Sequence, residues 1–166
     1  MSANGHADGN SGVYVRAFPN GGYGGSVIDG PGNGGNGGVA SLGPVTGSCS
    51  SPDGGYVDVS AGVTGGGGGN AGGSGNGGKG ASELLDTAIS GSTTAAGTLS
   101  LTQNVTGGSG GSVTSGTPGA AGAADLLFSL NDGTSSSLYV TLYATGDNGG
   151  YRDNPPAQQA MEPSAT

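Results

Sequence analysis

The chain has 166 residues and a formal net charge of −8 at pH 7, and Arg16, Lys79 and Arg152 are its only Lys or Arg residues. This balance argues against nucleic acids and anionic membrane surfaces as partners, because both bind basic patches. Glycine supplies 42 residues and hydrophobic residues make up only 31% of the chain, so a conventional layered core would be thin.

The first segment, residues 1–10 (MSANGHADGN), is polar and has neither the positive nor the apolar region of a signal peptide. We expect an irregular tail here that is disordered or reaches a neighbour. An extracellular protein with this sequence would be a mature fragment or would be exported without an N-terminal signal. No apolar run approaches the roughly 20 residues of a membrane-spanning helix, so no membrane insertion is expected.

Four segments with alternating apolar residues are the best strand candidates, and each precedes a glycine cluster. They are Val13–Pro19, Tyr56–Val63, Thr98–Val105 and Leu138–Ala144. The residues that open the clusters, Asn20, Thr64, Thr106 and Thr145, lie 44, 42 and 39 residues apart. Such a period indicates a repeat architecture in which each copy is one supersecondary unit.

Stacking these four segments in register predicts columns of similar side chains. The inner face would carry Val13/Val57/Leu99/Leu138, Val15/Val59/Leu101/Val140 and Ala17/Ala61/Gln103/Leu142, and the outer face Tyr14/Asp58/Ser100/Tyr139. This alternation is typical of a sheet with one buried and one solvated face. The first and last copies would expose unpaired strand edges, where we predict Val13, Val15, Leu138 and Val140 as assembly residues.

The glycine tracts have a period of three, with Gly, Ala or Ser at two of every three positions. The clearest is Thr64–Gly80, TGGGGGNAGGSGNGGKG. Polyproline II geometry has three residues per turn and no internal hydrogen bonds, so polyglycine in this form must pair with neighbouring segments. At about 3.1 Å per residue, such a tract is about twice as long as the strand before it. It fits either two legs that run out and back or one wide coil.

A further strand is predicted after each of the first three tracts, over Val39–Thr46, Glu83–Ile89 and Asp125–Leu130, with turns at Gly47–Gly55, Ser90–Gly97 and Asn131–Ser137. An ungapped alignment of Thr64–Leu85 with Thr106–Leu127, together with the earlier copy VASLG from Val39, predicts a column of Leu42, Leu84 and Leu126. The same alignment puts Glu83 and Asp125 at one repeat position, as strand-edge charges rather than catalytic partners. We predict one domain of about four units over residues 11–153 and a Pro-containing tail over residues 154–166.

Two short segments of the tracts match known catalytic or phosphate-binding motifs. Chance matches in a low-complexity glycine-rich sequence are the simpler explanation of both. Gly107–Gly111 (GGSGG) matches the G-x-S-x-G nucleophile pattern, but no helix is predicted after it and the only histidine is His6. Gly73–Lys79 (GSGNGGK) fits the start of a phosphate-binding loop, but Gly80 stands where Ser or Thr should bind magnesium. We expect no enzyme activity, no catalytic residue and no bound cofactor.

Calcium is the one metal that the sequence keeps open, because carboxylates in glycine-rich turns supply oxygen ligands. The candidates are Asp29, Asp132, Asp147 and Asp153. The alternative is that these side chains make local hydrogen bonds in turns. The outer-face residues Tyr14, Tyr139 and Tyr143 are either an adhesive surface or ordinary cross-strand partners.

The alternation of strand and glycine tract, as in YVDVSAGVTGGGGGN and TLSLTQNVTGGSGGS, resembles the glycine-rich repeat regions of large bacterial surface and autotransporter-type proteins. This resemblance spans about Val13–Tyr151 and implies a β-solenoid that serves as a stalk, adhesin or extracellular fibre. The tracts alone are similar to the polyglycine II bundles of springtail antifreeze proteins and some phage tail-tip adhesins, although the springtail disulfides are missing here.

We therefore expect an all-β repeat protein of about 42-residue units, stacked as a β-solenoid or a β-sandwich with polyglycine II segments. Its predicted function is non-enzymatic: a subunit or repeat block of an extracellular or cell-surface fibre that self-associates through open strand edges. The alternative is a receptor-binding adhesin module, of a phage tail tip or a cell surface, with a glycan or receptor as its partner.

Overall fold

The computed structural model describes residues 1–153, and every regular element in this range is a β-strand. The nine strands are β1 (Ala3–Ala7), β2 (Val13–Ala17), β3 (Val45–Cys49), β4 (Tyr56–Thr64), β5 (Glu83–Asp86), β6 (Ile89–Ser92), β7 (Thr98–Thr106), β8 (Ala124–Leu127) and β9 (Ser137–Thr145). The predicted all-β class is confirmed. The predicted C-terminal tail, residues 154–166, lies outside the described residues.

The strands form three sheets in which every pair is parallel. Sheet A contains β1, β3 and β6; sheet B contains β2, β4, β7 and β9; sheet C contains β5 and β8. Parallel neighbours cannot be joined by a tight turn. The chain therefore travels through the other sheets and a glycine tract before it returns to the same sheet.

Sheet B has the register that the sequence pattern predicts. Val13 pairs with Val57, Val57 with Leu99, and Leu99 with Leu138. The four predicted segments agree with β2, β4, β7 and β9 to within two residues at each end. Alternation of apolar and polar residues is therefore enough to specify this sheet, because a slip of one residue would turn its whole apolar face to water.

The core lies between the sheets. Inner side chains of sheet B pack against sheet A in a cluster that includes Val57, Val59 and Leu101, all fully buried. A smaller cluster of Val63, Leu85 and Val105 lies near sheet C. Burial of such side chains stabilises the fold by about 1.5–3 kcal/mol each relative to exposure.

Each of the first three glycine tracts runs outward from the end of a sheet B strand and then returns beside itself, and the fourth has an outward leg within the described residues. The first outward leg and its return are joined by hydrogen bonds from Gly35 N to Gly25 O and from Gly38 N to Gly22 O, both 2.8 Å. The outward legs are residues 20–27, 64–71, 106–113 and 145–152, and the return legs are residues 32–38, 75–81 and 116–122. Of the two arrangements that tract length left open, the chain adopts the one with two legs.

The N-terminal segment is not irregular throughout, because it contains β1, which pairs with β3. The strand sequence ANGHA has no β-branched or aromatic residue, so propensity predicts no strand here. Tertiary packing decides instead. Gly5 lies so close to β2 that an added Cβ would be only 2.7 Å from the side chain of Val15.

The strands after the first two tracts differ from their predicted ranges. Residues 39–44 are irregular, and the strand expected over Val39–Thr46 is β3, which continues to Cys49. The strand expected over Glu83–Ile89 is divided into β5 and β6 near Thr87, whose φ of 37° lies in the left-handed region. The turns predicted from Gly47 and Ser90 therefore begin later, after β3 and β6.

Sheet C is one residue out of the predicted register. Leu85 pairs with Leu126, and Glu83 pairs with Ala124. The predicted column through Leu84 and Leu126 was therefore wrong, as was the prediction that Glu83 and Asp125 share one repeat position. Ala71 pairs with Val113, 42 residues on, but Glu83 pairs with a residue 41 residues on. The turn between the legs is thus one residue shorter in the later copy, which an ungapped alignment cannot accommodate.

Candidate assembly site

Hydrogen bonds join each outward leg to the next one along the stack. In the first leg Gly21, Gly24 and Val27 donate their amides to Thr64, Gly67 and Asn70 of the second leg, at 2.8–2.9 Å. The second and third legs repeat this pattern at every third residue. The amides of this set therefore point toward the C-terminal end of the stack, and their carbonyl acceptors point toward the N-terminal end.

Return legs lie between successive outward legs and bond to both. Gly69 N donates to Gly35 O at 2.8 Å, and Gly78 N donates to Gly69 O at 2.9 Å. The legs approach so closely that a Cβ added at Gly69 would overlap the carbonyl oxygen of Gly25. Close approach between backbones, rather than an unusual φ angle, is what requires glycine at these positions.

Side chains at the third positions form a second set of bonds that sequence reasoning missed. Asn33 Oδ1 accepts from Asn76 N at 2.8 Å, and Asn76 Oδ1 accepts from Thr117 N at 2.9 Å. Ser26 Oγ accepts from Asn70 N at 2.9 Å, and Asn70 Oδ1 from Ser112 N at 2.7 Å. The Asn and Ser residues that interrupt the glycine pattern thus accept from amides of the following leg that donate to no backbone carbonyl.

The N-terminal end of the stack presents a row of acceptors. The carbonyl oxygens of Asn20, Tyr23 and Ser26 accept no backbone hydrogen bond within residues 1–153. In the second outward leg the equivalent carbonyl oxygens are those of Thr64, Gly67 and Asn70, which accept from the first leg. The nearby Gly22 and Gly25 have open space where a Cβ would be, with nothing within 4 Å.

The C-terminal end presents a row of donors with the same three-residue spacing. The amides of Gly146, Gly149 and Arg152 donate no backbone hydrogen bond in the described part of the chain. Gly146 likewise has nothing within 4 Å of an added Cβ. The edge strand β9 lies beside this row, and its inner side chains Leu138 and Val140 are 42% and 40% exposed.

The four predicted assembly residues fall into two groups. Leu138 and Val140 lie on the open edge strand, where they are accessible. Val13 and Val15 are on the first strand of sheet B, but their side chains are only 6% and 5% exposed because β1 covers them. Their side chains face the core of the same chain, and a lysine at either position would damage the fold as well as any interface.

The backbone atoms described above are therefore better candidates than those side chains. The sequence contained one signal for them: Gly22 and Gly25 are in phase with Gly66 and Gly69, whose Cβ positions are blocked. Gly22 and Gly25 keep the glycine of the blocked positions although no neighbour within residues 1–153 requires it.

The four calcium candidates do not form a common group. Among residues 1–153, no three His, Cys, Asp or Glu side chains come together as a set that could hold a metal ion. Asp132 Oδ1 accepts from Thr134 N at 3.2 Å, and its other oxygen accepts from the Ser135 hydroxyl. The Ser135 bond holds the pKa of Asp132 below its ordinary value. Calcium binding stays a prediction.

Other polar groups also have local partners. Glu83, predicted as a strand-edge charge, is 4% exposed, and its carboxylate accepts from Ala40 N at 2.7 Å. His6 on β1 contacts Ser48 Oγ through Nδ1 at 2.8 Å and Asp8 Oδ1 through Nε2 at 2.7 Å. Bonds from Ser50 and then His6 lower the pKa of Asp8. This group is solvent-exposed and lies on sheet A, away from the serine of the GGSGG motif.

Comparison of the chain with protein-family models, with curated proteins and with solved structures finds no match. In the part of the chain that the structure describes, no helix is long and apolar enough to cross a membrane.

Proposed function

We propose that the chain is a non-enzymatic structural block of an extracellular or cell-surface fibre. In this proposal each unit of about 42 residues is one coil of a β-solenoid, and the glycine legs form a polyglycine II bundle beside it. Copies stack head to tail, so that β9 of one copy pairs with β2 of the next. Such a heterologous contact does not close on itself and yields a filament.

The complementarity of the two ends is the observation that carries this proposal. Three donors at the C-terminal end and three acceptors at the N-terminal end have the spacing and direction of the bonds inside the stack. Head-to-tail contact would join Gly146 N to Asn20 O, Gly149 N to Tyr23 O, and Arg152 N to Ser26 O of the next copy. Each bond would contribute about 0.5–1.5 kcal/mol net.

The apolar columns support the same contact. Leu138 and Val140 would lie beside Val13 and Val15 of the next copy, which continues the columns of sheet B. Exposed apolar side chains next to an unpaired strand edge are a hazard unless a partner covers them. The glycines at both ends add to this support, because residues 1–153 of one chain leave room for larger residues at Gly22, Gly25 and Gly146.

Replacing Gly146 by Pro tests the proposal directly. Proline removes the amide and places its ring where the next copy would dock, and within residues 1–153 Gly146 N donates no backbone hydrogen bond that would be lost. The preceding Thr145 is in β9, and an extended residue is compatible with a following proline. We expect assembly, followed by sedimentation velocity, to require at least tenfold higher protein concentration.

Gly133→Pro is the control, since Gly133 lies in an irregular segment outside the legs, donates no backbone hydrogen bond within residues 1–153 and has nothing within 4 Å of an added Cβ. This variant should assemble as the unmodified chain does. Equal assembly of the two Pro variants would count against stacking through this edge, as would an unmodified chain that stays monomeric at all concentrations.

A further inference from the structure

The outer face of sheet B carries exposed tyrosines on the side opposite the apolar core. Tyr14 on β2 and Tyr56 on β4 have ring centroids 5.7 Å apart with their planes inclined at 48°. Tyr139 lies on β9 at the other side of the sheet. Their exposed fractions are 64%, 39% and 62%, so all three rings have surface available to a ligand.

A charged pair lies among these rings. Asp58 follows Tyr56 by two residues on the same face, and its register partner on β2 is Tyr14. One carboxylate oxygen accepts from Arg16 at 3.4 Å and the other from the Ser60 hydroxyl at 3.3 Å. The Asp58 side chain is 12% exposed and that of Arg16 66% exposed. The pair thus offers fixed donors and acceptors with little net charge.

Register places these groups in a row across the sheet. Tyr14 pairs with Asp58, Asp58 with Ser100, and Ser100 with Tyr139. Three strand spacings give this row a length of about 14 Å. Aromatic rings therefore stand at both ends of the row, with a carboxylate and a hydroxyl between them.

We propose that this row binds a linear neutral polysaccharide. Tyrosine rings present flat apolar surfaces with a polar tip, which match the C–H faces of sugar rings. The carboxylate, guanidinium and hydroxyl groups between them match sugar hydroxyls, in the usual pattern of an apolar site with a few fixed polar groups. A net charge of −8 disfavours anionic polysaccharides by like-charge repulsion. The row lies within one chain, so this proposal does not depend on fibre assembly.

Co-sedimentation with insoluble cellulose, chitin and starch, measured below the concentration at which the chain assembles and corrected with a sample that lacks polysaccharide, tests the proposal together with affinity electrophoresis in soluble alginate. We expect retention on at least one of the three neutral polymers and none by alginate. Tyr14→Ala and Tyr139→Ala should each weaken retention about tenfold, as truncation of an aromatic anchor typically does. Tyr14→Phe should keep most of the binding, because it keeps the ring.

Tyr23→Ala is the matched control, because Tyr23 is 86% exposed but lies on a glycine leg. It should bind as the unmodified chain does, and thermal unfolding of every variant should show that the fold is kept. The proposal is overturned if none of the three neutral polymers retains the chain, if alginate binds it more tightly, or if Tyr23→Ala loses as much binding as Tyr14→Ala.

Discussion

Replacing Gly69 by Ala is expected to destabilise the folded chain by about 3 kcal/mol, whereas the same change at Gly25 should stay within about 0.5 kcal/mol. The two glycines hold equivalent places in successive outward legs. At Gly69 the new methyl group would overlap the carbonyl oxygen of Gly25, and at Gly25 it would meet nothing within 4 Å. The chain can accommodate the first change only by separating legs that are bonded to each other.

Separation of the legs explains the size of the effect. Gly69 donates to Gly35 O and accepts from Gly78 N, and the residue is buried. Lost or lengthened bonds at such a place leave backbone groups unsatisfied away from water. Thermal unfolding followed by circular dichroism should show a midpoint about 10 °C lower for Gly69→Ala. Equal midpoints for the two variants would contradict the close packing of the legs.

The double replacement Gly22→Ala and Gly25→Ala should leave the stability of the monomer unchanged but should prevent assembly. Both positions are open in the isolated chain. In a head-to-tail stack, however, they would face the last outward leg of the preceding copy, as Gly66 and Gly69 face the first leg. The two methyl groups would then overlap carbonyl oxygens of that leg.

Light scattering against protein concentration measures this effect, with Gly133→Ala as the control. Gly133 also has nothing within 4 Å of an added Cβ, but it precedes β9 in an irregular segment rather than lying in a leg. We expect the control to assemble normally and the double variant to remain monomeric at concentrations at least tenfold higher. Normal assembly of the double variant would show that the legs do not meet at the interface.

Sheet B was the most predictable part of the molecule. Its strands alternate apolar and polar residues, and its four strands carry similar side chains at equivalent positions. A single register therefore buries all the inner apolar residues at once. The out-and-back course of the glycine legs was one of two arrangements that length allowed. Length alone could not choose between them, because the choice depends on hydrogen bonds between distant segments.

The misplaced elements have identifiable physical causes. Strand β1 has no sequence signature, since its small residues are selected by contact with β2 rather than by strand propensity. The register of sheet C depends on the number of residues in a turn between legs, and that number differs between copies by one. Gln103, by contrast, lies buried in the predicted inner column beside Ala61, where its amide donates to Leu85 O at 3.3 Å and to Leu127 O at 3.4 Å.

The candidate site was predictable in outline only. The stacked columns predicted open edges on the first and last strands of sheet B, and Leu138 and Val140 lie on such an edge, β9. The backbone atoms at Asn20, Tyr23 and Ser26 and at Gly146 and Gly149 could not be identified from side-chain patterns. Their role follows from the direction of the hydrogen bonds, which depends on the parallel arrangement of the legs.

Electron cryo-microscopy of the purified chain at neutral pH tests the head-to-tail stack most directly. Each copy contributes four strands to sheet B, so continuous stacking predicts filaments with a layer spacing of about 4.8 Å and a subunit repeat of about 19 Å. Filaments with this repeat would support the proposed assembly. Discrete particles at every concentration, or filaments whose repeat is not four strand spacings, would contradict it.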